Sequence, residues 1–293
     1  MQPQTTASSA TSIHPDTRLG SVTLRIADLD RALEFYEGVL GFQRLAPQAD
    51  LTLLGAAGAP ALVRLQVTPG ARPMPRRAAG LYHYAILVPG RADLGRSLRR
   101  LAGAGIEIGQ ADHLVSEALY LSDPDGNGIE IYRDRPRSTW TWADGHVQMA
   151  TDPLDLRGLL ADGDRDPRPT SAGLAAGTRI GHVHLQVSDT DQAADFYHGL
   201  LGFDVPAQWP GAVFASAGGY HHHLGLNSWS SRGAPPAPAG TAGLESFEIE
   251  VPSAAEQARL AERLTAAAVS FSLTDGRLTL RDPWNIEVVV THP

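Results

Sequence analysis

Leu19–Phe42, LGSVTLRIADLDRALEFYEGVLGF, returns as Ile180–Phe203, IGHVHLQVSDTDQAADFYHGLLGF, with half of the positions identical. A stretch repeated at this length marks a duplicated architecture. In the first copy Ser21 to Ile26 alternates as a strand, Asp28 or Asp30 can cap a helix, apolar residues recur at helical spacing to Val39, and Gly41 ends the helix. The copies differ at one chemically loaded place: Ser21 and Thr23 of the first become His182 and His184 in the second. The second copy is therefore where metal chemistry is sought first.

Working outward, LTLLGA and ALVRLQV read as two further strands after the first helix, split by the turn AGAP. The pattern starts again at Leu81 with the strand LYHYAILVP, a helix over Ala92–Ala104, a short strand near Ile106, and the hairpin in EALYLSDPDGNGIEIYRD. A third unit spans Ile180–Trp229. A fourth spans Leu244–Val290, with strand ESFEIEV, helix Ala254–Ala267 and closing strands RLTLRDPWNIEVVV. The chain so reads as α+β, four βαβββ modules forming two domains, each a cup-shaped mixed sheet. The expected division is a flexible arm over 1–18, an N-terminal domain over 19–135 from modules one and two, a linker over 136–178 with one helical patch at DPLDLRGLLAD, and a C-terminal domain over 179–293 from modules three and four.

The 293 residues leave room for two cores, and a net charge of -8 with scattered Arg offers no basic stripe for nucleic acid or anionic lipid. No apolar run approaches the roughly 20 residues that span a bilayer, and the N-terminus lacks an apolar signal core, so neither nucleic acid nor membrane is expected as a partner and the location expected is cytoplasmic. With no cysteine, a metal must be held by His, Asp or Glu, donors that suit iron or manganese.

The four modules, the FYxGxLGF helix exits and the segments GLYHYAILVP, SEALYLSDPDGNGIEIYRDRPRSTW and GGYHHHLGLNSW resemble the vicinal oxygen chelate superfamily, which includes glyoxalase I, resistance proteins and extradiol dioxygenases. Within it the chain is similar to the two-domain catechol-2,3-dioxygenase subgroup over nearly its whole length. The resemblance implies a metal in one cup, iron(II) with manganese(II) as the substitute, and ring cleavage of a catechol- or hydroquinone-like aromatic by O2. It carries metal ligation onto His182 of IGHVHL and Glu287 of WNIEVVV. The second imidazole expected on the first strand of module four is missing from LESFEIEV, and His223 on the last strand of module three is taken in its place.

The same segment resembles the extradiol stretch that carries an acid–base histidine, for which His222 is the better match and His221 the next. His221 and His223 share one strand face while His222 takes the other, so using both sets requires a local distortion. His184, on the face of His182, is expected to line the substrate pocket, and Trp229 and Trp284 are further candidates for its wall. His83 and Glu130 also occupy ligand-type positions in module two. Their partner in module one is Ser21, so the pair is read as a degenerate site with a structural role. SDPDGNG is too short for a calcium loop and reads as a hairpin turn. Two rival readings stand beside the dioxygenase: a metal-poor binding protein for a small aromatic or electrophile, and a glyoxalase-like lyase or isomerase. Assembly into a homo-oligomer is left open.

Overall fold

The computed structural model describes residues 12–293. Module one supplies β1 (Arg18–Ile26), α1 (Leu29–Leu33), β2 (Gln43–Arg44), β3 (Leu51–Gly55) and β4 (Ala61–Val67). Module two supplies β5 (Gly80–Leu87), α2 (Arg91–Gly103), β6 (Gly109–Asp112), β7 (Ser116–Ser122) and β8 (Gly128–Asp134). A connection follows with the hairpin β9 (Trp142–Ala143) and β10 (His146–Val147), then α3 (Leu156–Arg165). Module three supplies β11 (Arg179–Gln186), α4 (Thr190–Ala194), β12 (Asp204–Trp209), β13 (Ala212–Ser216) and β14 (Leu224–Asn227). Module four supplies β15 (Gly243–Glu250), α5 (Ala254–Ala266), β16 (Ser272–Thr274), β17 (Arg277–Arg281) and β18 (Glu287–Thr291).

Asp28 and Asp189 cap the two repeated helices through their carboxylates. Both helices then widen into π-helical turns, Glu34–Leu40 and Asp195–Leu200, where ordinary α-helix was expected to Val39. From those turns Tyr36 donates to Asp123 and Tyr197 to Asp282, each at 2.9 Å, so each helix is tied to the hairpin turn of the next module. Consecutive modules thus pack through their backs.

Their strands join differently. One eight-stranded sheet runs β16-β17-β18-β15-β1-β4-β3-β2 and the other β12-β13-β14-β11-β5-β8-β7-β6. Module one shares a sheet with module four and module two with module three, which corrects the expectation that each half builds its own cup. The physical reason is the open edge: in every module the first strand is terminal, and its unpaired amides and carbonyls are sealed by the first strand of the other half, β1 antiparallel to β15 and β5 antiparallel to β11. Alternation does the rest. Val22, Leu24, Tyr84, Ile86, Val183, Leu185, Phe247 and Ile249 face one continuous core between the sheets, and the residues between them face the cups.

Of the arm expected over 1–18, residues 1–11 lie outside the described residues. The remainder is packed: the Ile13 amide donates to Gly202 O at 2.8 Å, Thr17 is buried, and Arg18 opens β1. The expected linker holds α3 at the predicted patch, docked on α2 with Leu159 fully buried.

Candidate metal centre

The cup shared by modules two and three gathers the chemistry. Val183 on β11 pairs with Tyr84 on β5, so the preceding residues, His182 and His83, occupy equivalent places about a local two-fold axis. Ala85 pairs with His182 on one side and with Glu130 of β8 on the other. Because side chains alternate, His83, Ala85, Glu130 and His182 all project into the same cup while Tyr84, Ile129, Ile131 and Val183 face the core. The small side chain of Ala85 leaves the space into which its neighbours converge.

His83 Nε2 and His182 Nε2 each lie 3.0 Å from Glu130 Oε2 and 3.2 Å from one another, with all three residues buried. Hydrogen bonds cannot satisfy this cluster fully: if both imidazoles donate to Glu130, their N–H groups oppose each other. A cation at the centre would be ligated by all three. Bonds of about 2.1 Å at right angles place ligand atoms about 3.0 Å apart, so the spacing fits three neighbouring corners of an octahedron. Among the described residues this is the only cluster of three His, Asp or Glu groups close enough to hold an ion. Burial alone would raise the Glu130 carboxyl, but attraction and hydrogen bonding from His182, then His83, hold it well below the usual range. Burial lowers His83, opposed by Glu130. Both directions favour the unprotonated donors a cation requires.

The structure brings His182 together with His83 and Glu130, not with His223 and Glu287. Glu287 stands on β18 in the other sheet, 3.2 Å from Arg281. Its misplacement is one of register. Phe247 pairs with Val22 and Val288 just as Tyr84 pairs with Val183 and Ile129, so Val289 is the counterpart of Glu130, and Glu287 that of Gly128. The hairpin turns agree, since Asp123 and Asp282 each accept from the amide four residues on. Counting seven residues from each Asp-Pro aspartate, rather than matching IE to IE, locates both positions in the sequence. The second cup therefore presents Ser21, Ser246 and Val289 where the first presents two imidazoles and a carboxylate. Glu248 replaces Ala85 there, bonded to Ser21 at 2.7 Å, Arg64 at 2.9 Å and Arg277 at 2.7 Å. Burial would raise its carboxyl, and these partners, Arg64 first, draw it below the usual range. Ion pairs fill that cup.

The three consecutive histidines precede β14 and sit in a turn, so strand alternation does not govern them. The β14 residue at the Glu130 position is Gly225, beside His184, as the registers of the two parallel pairs show. His222 lines the cup, its ring centroid 4.2 Å from that of His182. His221 lies behind it, Nδ1 2.8 Å from His222 Nδ1 and Nε2 2.9 Å from Asp134. His223 turns away, its Nδ1 accepting from the Ala217 amide at 3.1 Å, and lines a different cavity.

Above the cluster is a cavity of about 530 Å³ walled by Tyr82, Val115, Met149, Trp209, Phe214 and Trp229. His184 lines it with a buried Nε2 that has no hydrogen-bond partner, while Trp284 is buried elsewhere and donates to Ser188. A Cβ on Gly225 would lie 2.6 Å from His184 Cγ, so glycine is what admits that ring. Among the described residues, no Arg lines the cavity.

A sequence model described as the Glyoxalase/Bleomycin resistance protein/Dioxygenase superfamily matches residues 18–131 and 179–290. A catechol-2,3-dioxygenase of Bacillus subtilis (strain 168) is 48% identical over 280 residues, 93% of this chain and 96% of that protein. A crystal structure of a protein from Bacillus subtilis subsp. subtilis str. 168 superposes with a TM-score of 0.62 at 16% identity, over 98% of this chain and 86% of that one. Glyoxalase I from Zea mays does so with a TM-score of 0.54 at 17% identity, over 94% and 92%. At such identities the two structures share a fold with this chain.

Proposed function

The chain belongs to the glyoxalase/bleomycin resistance protein/dioxygenase superfamily, and from that premise we propose that it is an extradiol dioxygenase that opens a catechol ring with O2 at a divalent metal held by His83, His182 and Glu130. The observation that carries the reading is the meeting of two imidazole nitrogens and one carboxylate oxygen within 3.2 Å at the floor of an apolar cavity. Two histidines and one carboxylate on one face of an ion are the donor set of non-haem iron(II), with manganese(II) the alternative. When bound, such an ion supplies a Lewis acid that acidifies the catechol hydroxyls and a redox centre that couples the ring to dioxygen.

The chain's own residues prepare the proton transfers. Asp134 accepts from His221 Nε2–H, which leaves His221 Nδ1 as an acceptor for His222 Nδ1–H. His222 Nε2 is then the lone pair available to the cavity. Burial, followed by the neighbouring His182 and His221, lowers the His222 imidazole well below its ordinary range, so the ring enters the reaction neutral and takes the hydroxyl proton. The unpartnered His184 Nε2 is a second polar anchor for substrate. Among the described residues no arginine lines the wall to pair with a buried anionic ring substituent, which favours a catechol whose substituent is neutral and apolar. The 530 Å³ cavity has room for a substituent of substantial size.

The test is to load metal-stripped protein with iron(II), measure metal per chain, and follow oxygen uptake with an alkyl- or aryl-substituted catechol. His83→Ala, His182→Ala and Glu130→Ala are expected to lose bound metal and turnover together, whereas Glu287→Ala keeps both. Full turnover in any of the first three, or loss in Glu287→Ala alone, overturns the assignment.

A further inference from the structure

Adjacent residues of the histidine turn look into different cavities. While His222 lines the first cup, His223 lines a second cavity of about 310 Å³ formed by Pro15–Leu19, Arg137, Arg179–Gly181, Ala217, Gly218, Tyr220 and His223. The two cavities share no lining residue.

The walls of the second cavity offer donors. Arg137 is fixed without a carboxylate: it donates to Gly218 O at 3.0 Å and lies 5.4 Å over the Tyr220 ring and 5.6 Å over that of Trp140. Arg179 forms no ion pair among the described residues. Thr17 is only 3% exposed, and its Oγ1 is buried without a hydrogen-bond partner. His223 accepts at Nδ1 from the Ala217 amide, which puts the proton of the neutral ring on Nε2. Burial, His221 and Arg137 keep the ring neutral, pushed down to about 3. Arg18 is already paired with Glu250 at 2.6 Å, and Asp16, the one acid on the wall, has a side chain 81% exposed. Asp134 lies behind Tyr220 with its oxygens taken by Tyr220 and His221. In a chain of net charge -8, two guanidiniums without an ion pair among the described residues, a buried hydroxyl and a neutral imidazole thus line one cavity.

We propose that this second cavity is a binding site for a small oxyanion, a carboxylate or phosphate group, held between Arg137 and Arg179 with Thr17 Oγ1 and His223 Nε2 as neutral donors. Its volume lies at the lower end of ligand pockets, which suits a compact anion.

The full chain, freed of divalent metal by chelation and gel filtration, is titrated with inorganic phosphate and separately with acetate in chloride buffer of constant ionic strength, by calorimetry and thermal shift. One saturable site is expected for at least one of them, with a Kd on the order of 1 mM or tighter. Arg137→Gln and Arg179→Gln should each weaken it by about tenfold, as loss of a charge-assisted hydrogen bond does, Thr17→Val by less, and Arg18→Gln not at all. The anion that saturates identifies which group the site takes. Absence of saturable binding by both, or binding unchanged in Arg137→Gln and Arg179→Gln whose circular dichroism matches the parent, overturns the proposal.

Discussion

Ala85 has no chemistry of its own, yet its side chain stands between His182 and Glu130 and decides whether they meet. It is fully buried, and two added methyl groups at this position have nowhere to go except the space where the ligand atoms converge. Ala85→Val should cost about 1–3 kcal/mol in stability through overpacking. It should weaken metal binding by about tenfold or more, as changes around a ligand set do. Metal content after dialysis, beside urea denaturation, checks both, and a variant with the parent's metal affinity would show that the ion sits elsewhere. The exchange of Ser21 for His182 marks one of the three clustered donors, because a repeat makes a lone substitution visible. Glu287 stands two residues out of register with Glu130: Ile-Glu occurs in both closing strands, but the strand registers place Val289, not Glu287, where Glu130 stands.

At the scale of elements, period and punctuation carried most of the information. The strands at β3, β4, β5 and β15 and the helices α2 and α5 lie where alternation and helical spacing place them. Three identical polar residues carry no period, so the sequence predicts a strand where the structure has a turn, whose two preceding glycines, Gly218 and Gly219, both have positive φ that ends the extended run. The connection between the halves was read as mostly irregular, although α3 docks against α2 at two glycines. A Cβ on Gly95 would drive into the Leu159 carbonyl and lie 2.9 Å from the Gly163 amide. The contact is joined by Arg91 with Asp162 and Arg99 with Asp164. Glycine to alanine inside a helix ordinarily gains about 0.8–1 kcal/mol, but here backbone rather than a flexible side chain blocks the added carbon. Gly95→Ala is therefore expected to destabilise the protein by about 1–3 kcal/mol in urea denaturation. A gain in stability would show that α3 does not rest on α2.

The whole molecule is held by pairings that cross between its halves. The central strands of both sheets, β1 with β15 and β5 with β11, come one from each repeat, and the buried His–Glu cluster takes His83 and Glu130 from the first and His182 from the second. Residues 19–135 and 179–293 expressed separately should then each expose a long central strand edge and fail to give a cooperative unfolding transition or bind metal. Expressed together they should recover both, as judged by circular dichroism, size-exclusion chromatography and metal content. Independent folding of either half with a full metal complement would contradict the cross-paired architecture.

The amino-acid sequence by itself determined the repeat, the four modules, the family resemblance and the chemical kind of the donors, because these depend on local period, turn residues and residue type. Which modules share a cup, and hence which carboxylate and second imidazole join His182, was decided only by the tertiary structure. A terminal strand's free edge can be closed by any strand of matching pleat, and nothing local distinguishes its neighbour in sequence from its counterpart in the other half. The choice is made by burial of both backs in one core, with each Tyr–Asp tie holding consecutive modules back to back and leaving their open edges to be sealed across the molecule.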